Sequence, residues 1–168
     1  ADVRFVPIDE THPPTPDDPY VIAKHAMEVT ADGFGRRPSV DMTISSLRYP
    51  WVTTDEEMRE YFLEPDRSLN ALEDVHPATG REVLFSYLAM DDAASIARKA
   101  VEADFDGHES FWAVADDTTA DAPTSELVEK FYPEADVQEV LKGHKAVIDL
   151  SKAESLLGWE PQRSWRDL

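Results

Sequence analysis

Tyr20 and Lys24 stand four residues apart in Pro19-Tyr20-Val21-Ile22-Ala23-Lys24, and a phenol beside an ammonium is an acid/base pair. On an α-helix this spacing puts both side chains on one face. A free phenol titrates near 10, so a tyrosine working as a base near neutrality needs about 4 kcal/mol of help in losing its proton. A nearby cation gives help of that sign. The string alone arises by chance in many helices, so its meaning depends on its surroundings. The five histidines, at 12, 25, 76, 108 and 144, never pair at i, i+4 or another zinc-ligand spacing, so no metal is expected. His25 adjoins Lys24 and reads as a surface or supporting group. Asp91-Asp92 could be a carboxylate pair for catalysis, but such a pair more often caps a helix and complements its dipole. Asp116-Asp117 before Thr118-Thr119 reads as a loop. Trp112, Trp159 and Trp165 read as core, whereas Trp51 is open between core packing and stacking on a ring ligand.

The elements that must position these residues can be read in turn. Asp18 is a good N-cap with Pro19 at the first helical position, and the helix should run to about Phe34, where Gly33 and Gly35 end it. Tyr20, Ala23, Lys24 and Met27 share one face; Ile22, Ala26 and Val29 share another that should pack on a sheet. Before it lies a proline- and acid-rich loop with an extended piece at Arg4-Phe5-Val6-Pro7. After it, a strand is expected over 40–49, and an amphipathic helix over 54–63, capped by Thr53 or Thr54, with Met58, Tyr61 and Phe62 inward. A long loop over 64–81 could serve as a lid. Strands over 83–89 and 109–115, a helix over 91–103 and short helices over 124–131, 151–157 and 164–168 complete the reading.

Four strings occur in a telling order: Asp9-Glu10-Thr11-His12-Pro13-Pro14 leading into the Tyr20 helix; Ile44-Ser45-Ser46-Leu47-Arg48-Tyr49-Pro50; Asp149-Leu150-Ser151-Lys152-Ala153; and Leu156-Leu157-Gly158-Trp159-Glu160-Pro161. Along nearly its whole length the chain resembles the C-terminal half of the extended short-chain dehydrogenase/reductases, specifically the NAD-dependent epimerase/dehydratase family. The resemblance implies that Tyr20 is the general base that takes a proton from a substrate hydroxyl as hydride passes to NAD or NADP. It implies that Lys24 holds the nicotinamide ribose and tunes the phenol. Backbone near Tyr49, Pro50 and Val52 should border the nicotinamide. Arginine could not simply replace Lys24, because a compact ammonium would give way to a wide planar fork. A homodimer through a helix bundle that includes the Tyr20 helix is also implied.

Departures from the family pattern are as informative. The glycine-rich fingerprint that lets backbone amides approach a dinucleotide pyrophosphate is absent; Gly33-Phe34-Gly35 is followed by Arg36-Arg37-Pro38, which cannot open a phosphate loop. The family's catalytic serine or threonine would precede Ala1. The chain is therefore expected to be an incomplete enzyme, inactive by itself. Where family members place an asparagine on the substrate, this chain has Trp51, and where they have an arginine on substrate phosphate it has Phe85. Arg81 is a displaced candidate for that task. Exchanging a guanidinium for an aromatic ring forfeits bidentate phosphate recognition, which speaks against a UDP-sugar. Trp51, Arg81 and Phe85 are the expected substrate-binding residues.

Composition bounds the partners. Thirty-five acidic residues against 16 basic give a formal net charge of −19, which repels nucleic acid and anionic lipid. With 42% hydrophobic residues the chain is not a disordered acidic tail. Adaptation to a salt-rich cytoplasm is the expected reading, since high ionic strength screens self-repulsion. Without cysteine there is neither a disulfide nor a thiolate metal site. No apolar run approaches membrane-spanning length, no signal-peptide pattern opens the sequence, and the cytoplasm is the expected compartment.

The expectation is an α/β protein. Residues 1–50 form the end of a Rossmann-type domain carrying the Tyr20 helix and its following strand, and residues 51–168 form a small substrate-binding region. As an enzyme it is expected to be an NAD(P)-dependent epimerase, dehydratase or reductase acting on a hydroxyl or keto group of a sugar-like small molecule. The competing expectation is a non-catalytic half-protein that binds a partner through a bare helix face and sheet edge.

Overall fold

A computed structural model describes residues 2–37 and 42–168. Three parallel strand pairs organise the chain. Strand β1 (Phe5–Val6) pairs with β6 (Asp136–Val137), β2 (Thr43–Arg48) with β5 (Gly107–Trp112), and β3 (Val52–Thr53) with β4 (Leu88–Ala89). The last two pairs are joined where Ala115 N, past the end of β5, donates to Tyr87 O, just ahead of β4, at 2.7 Å. Residues before position 50 thus pair with strands from the later part of the chain. The start of the expected strand over 40–49, at Val40 and Asp41, lies outside the described residues.

Helix α1 (Pro19–Gly35) forms where the cap predicts it: the Asp18 carboxylate accepts from Tyr20 N at 2.8 Å and Val21 N at 3.1 Å. It meets the sheet on a different face from the one expected. Ile22 and Val29 are 50% and 52% exposed, and the sheet is met instead by Glu28, Asp32 and Gly35. The reason lies opposite. Ser46, Arg48, His108 and Ser110 project from β2 and β5, so the complementary helix face is charged rather than apolar. Gly35 permits the approach, because a Cβ there would sit 2.7 Å from His108 N.

The remaining helices are α2 (Asp55–Met58), α3 (Met90–Glu102), α4 (Thr124–Phe131) and α5 (Ser151–Leu157). A capping box between Thr54 and Glu57 starts α2, which widens into a π-turn over Arg59–Leu63; Met58 and Phe62 are buried as expected, whereas Tyr61 is only partly buried. The segment expected as a loop over 64–81 contains short 3₁₀ turns and is pinned from inside by Arg67. That side chain is buried, and it donates to Thr119 O at 2.6 Å, Thr79 O at 2.8 Å and Thr119 Oγ1 at 2.7 Å. Burial pulls its pKa down to about 10, so at neutral pH it remains a cation held by oxygen acceptors.

One expected strand is largely a turn. Of residues 83–89 only Leu88 and Ala89 are extended, because Arg81–Val83 form a 3₁₀ turn and Leu84 and Phe85 follow at φ +60° and +52°. Two consecutive left-handed residues reverse the chain and drive Phe85 into the main core, where its ring meets Phe131 at 5.0 Å. That core joins Val6, Ile8, Phe85, Leu127, Val147 and Ile148; a second gathers Leu88, Ile96, Phe111 and Trp159, and a third Met58, Phe62, Tyr87 and Trp165.

Candidate functional site

The N-terminal half of α1, the end of β2 and the turn at residues 82–86 enclose an open cleft of about 680 Å³. Tyr20 and Lys24 stand on its helical wall, and Tyr49 and Pro50 on its strand wall. The Lys24 ammonium lies 5.5 Å from the centre of the Tyr20 ring. Among the described residues it forms no ion pair. Tyr20 is 70% exposed, so its hydroxyl is free to meet a ligand. Tyr49 turns its hydroxyl away, donating to Ala93 O at 3.2 Å, and burial pushes its phenol up; it offers the cleft a ring.

Beneath the helix, two polar clamps hold α1 in register. Arg48 grips Glu28 with Nε to Oε1 at 2.9 Å and Nη2 to Oε2 at 2.7 Å, and Ser110 Oγ donates to the same carboxylate at 3.2 Å. Burial raises the Glu28 pKa, but the Arg48 and Ser110 contacts outweigh it and hold the group below the usual carboxylate range. One turn on, Asp32 Oδ1 lies 2.6 Å from His108 Nδ1, while His108 Nε2 lies 2.8 Å from Ser46 Oγ. The His108 contact holds Asp32 below its ordinary value. These clamps fix the rotation of α1 and with it the direction in which Tyr20 and Lys24 point.

The other expected site residues lie elsewhere. Trp51 packs edge-on against Tyr61 with ring centres 4.9 Å apart. Val52 sits in β3, opposite Leu88. Arg81 lines a separate depression of about 500 Å³ and lies 3.5 Å from Glu82. Phe85 is fully buried, because the left-handed turn carries it inward, and no ligand in this cleft reaches it. Trp112, expected to be core, is only half-buried. It packs against the main core, yet it also lines the cleft beneath the Arg48 guanidinium, 5.3 Å from its ring centre. Glu28 and Leu84 were also missed, and nothing local in the sequence marks either.

In each acidic pair the second residue makes structural contacts, and no side-chain cap forms at the start of α3, where Asp91-Asp92 was expected to supply one. The Asp92 carboxylate accepts from Gln162 N and Arg163 N at 3.0 and 2.9 Å, fastening the C-terminal segment to α3; burial pushes its pKa up, partly offset by those amides. Asp117 accepts from Tyr87 Oη at 2.6 Å, Ser164 Oγ at 2.8 Å and Arg166 Nε at 3.0 Å. Among the described residues no group of three or more His, Asp or Glu side chains is arranged to hold a metal ion. Among the described residues no helix is long and apolar enough to cross a membrane.

No protein-family model matches the chain, and no curated protein matches it. Solved structures do. MoeE5 in complex with UDP-glucose and NAD is 17% identical at a TM-score of 0.59, with 99% of this chain aligned to 57% of that one. The UDP-glucose 4-epimerase of Thermotoga maritima, solved with UDP-glucose, is 23% identical at 0.56 over 96% of this chain and 54% of its own. A UDP-N-acetylglucosamine 4-epimerase from Bacillus cereus is 20% identical at 0.57, over 96% and 55%. This chain therefore spans a little over half the length of each. At such identities the likeness speaks for architecture: the chain has an α/β fold shared with part of Rossmann-type NAD-binding proteins.

Proposed function

We propose that this chain is the tyrosine-bearing portion of an NAD(P)-dependent epimerase, dehydratase or reductase that acts on a hydroxyl or keto group of a sugar-like small molecule. The observation that carries the reading is the placing of Tyr20 and Lys24 side by side on the wall of the cleft at the end of β2. The structural neighbours, among them proteins bound to NAD and to UDP-glucose, support it.

The residues present fit a nicotinamide ribose. Lys24 offers an ammonium that no described carboxylate claims, and the faces of Tyr49 and Pro50 give the flat wall that a nicotinamide ring needs beside it. When bound, the dinucleotide supplies hydride acceptance and return. The chain's own part is placement and proton transfer. Lys24 donates hydrogen bonds to the ribose hydroxyls, and its charge stabilises negative charge on the phenolic oxygen of Tyr20. Tyr20 takes the proton of the substrate hydroxyl and gives it back when the carbonyl is reduced. The clamps through Glu28 and Asp32 keep both groups aimed into the cleft. A pyrophosphate-binding segment outside this sequence completes the enzyme.

The test is titration of NAD⁺ against a full-length product containing this sequence, with Lys24→Ala beside it. Binding that weakens about tenfold or more in Lys24→Ala is expected, since a charge-assisted hydrogen bond contributes about 1.5–3 kcal/mol. Binding indifferent to Lys24 contradicts the reading. A second reading has its own observation. Tyr20, Val21, Ile22, Met27, Val29 and Phe34 leave α1 with an exposed apolar surface, and β2 has no strand partner other than β5 among the described residues. A module that pairs with another chain, or a homodimer built on α1, would cover that surface.

A further inference from the structure

Tyr20, Lys24, Glu28 and Asp32 recur at every fourth position of α1, so one stripe of ionisable side chains runs along the helix. The first three line the cleft. The fourth reaches solvent, its side chain 51% exposed. A hydrogen-bonded chain joins these two surroundings. Ser46, half-buried, lines the cleft. Its Oγ lies 2.8 Å from His108 Nε2, and His108 Nδ1 lies 2.6 Å from Asp32 Oδ1. Only 4% of the His108 side chain is exposed. The chain thus has one end in the cleft, a sheltered middle and one end in water.

An imidazole is the side chain that gains and loses a proton most readily near neutrality. The order hydroxyl, imidazole, carboxylate is also that of nucleophilic triads, in which the imidazole moves a proton to and from the hydroxyl while the carboxylate orients it. From α1, Asp32 bonds His108 directly and Glu28, gripped by Arg48 of β2, feels its charge; both carboxylates favour an imidazolium. Oxidation of an alcohol by NAD⁺ yields a ketone, NADH and one proton. A cleft filled by dinucleotide and substrate excludes the water that would carry that proton away.

We propose that Ser46, His108 and Asp32 form the path by which a proton leaves this cleft for solvent during oxidation and enters it during reduction. It rests on the Tyr20 reading for the proton's origin, and it favours net oxidation or reduction over epimerisation, in which the proton goes back to the substrate. The proton taken by Tyr20 reaches Ser46 through hydroxyls and water held in the cleft. The Ser46 hydroxyl proton passes to His108 Nε2, and the proton on Nδ1 passes over Asp32 to water, so that one proton leaves for each NADH formed. Asp32 is held below its ordinary pKa, and it carries the proton only in passing. Once product departs and water refills the cleft, both ends of the chain meet bulk solvent and the starting tautomer returns.

The experiment is a stopped-flow single turnover of the full-length product containing this sequence, with NAD⁺ and a secondary alcohol that it oxidises. NADH absorbance and a pH-indicator dye are followed together in weakly buffered solution. In the native protein the proton should appear with NADH. In Ser46→Ala, which leaves the bond between His108 and Asp32 in place, and in His108→Asn, which keeps a donor for Asp32, NADH should form at near the native rate while the proton lags it about tenfold or more. Ser46→Thr, which retains a hydroxyl, should remove the lag. Proton and NADH appearing together in Ser46→Ala overturn the proposal. So do equal delays in both signals, which a merely structural clamp would give, and a native turnover that leaves no proton in solution. Any of these beside an inactive Tyr20→Phe protein removes only the path, whereas native turnover in Tyr20→Phe removes the reading beneath it.

Discussion

Tyr20 and Lys24 share one task as single residues, and they differ in what a substitution removes. Lys24 acts as a point charge with rotatable donors. Lys24→Arg keeps the charge but brings a planar fork that does not fit the same space, so the KM for the dinucleotide should rise about tenfold while the fold, read by circular dichroism, is unchanged. A variant with native kinetics would show that any cation suffices. The spacing of Tyr20 and Lys24 was legible because helical periodicity is local. Trp112, Glu28 and Leu84 were not, because each reaches the cleft through tertiary contacts: Glu28 meets Arg48 twenty residues later in the sequence, and Leu84 owes its place to a left-handed turn.

Among the elements, α1 decides the geometry. Gly35→Ala pushes a Cβ to within 2.7 Å of His108 N; since that neighbour is backbone, the helix must move. A loss of about 1–3 kcal/mol is expected, seen as a thermal midpoint lower by several degrees, and an unchanged midpoint would show that α1 docks less tightly than described. The clamps also predict a pH response. Glu28 and Asp32 have folded pKa values below their ordinary ones, so their contribution is present above about pH 4, the unfolded range. It is lost as pH falls through the lower folded values. Amide exchange in α1 should therefore accelerate below about pH 4, ahead of α4. Asp92, whose pKa is raised, has the opposite sign and is relieved by protonation, so α3 should not follow α1. The sequence revealed where α1 starts and stops through Asp18, Pro19 and the terminal glycines. It misled about the docking face, since an apolar stripe is the ordinary sign of a buried side. Here the sheet opposite is polar, and the stripe through Ile22 and Val29 remains exposed. The expected strand over 83–89 failed for a related reason: apolar residues in a tight turn bury as well as those in a strand.

For the whole molecule the dominant fact is charge. Thirty-five acidic against 16 basic residues leave a self-repulsion that about 1 M salt screens to a range near 3 Å. Raising KCl from about 0.05 to 2 M should raise the thermal midpoint steadily; a flat or falling dependence would remove the proposed adaptation to a salty interior. The α/β class and the order of helices were legible in the sequence, whereas the pairing of β2 with β5 and of β1 with β6 was not, because parallel partners lie far apart in the chain. The exposed apolar face of α1 and the edge of β2 that no described strand covers are the surfaces that a completing segment or second copy would cover.

The most direct test of the central claim is a comparison of native and Tyr20→Phe protein, measuring NAD⁺ affinity and the rate of NADH formation with a secondary alcohol that the native enzyme oxidises. Affinity should be unchanged within about twofold and turnover lower by about 10²–10⁴, the range for loss of a positioned proton acceptor. Turnover in Tyr20→Phe close to the native rate would contradict it.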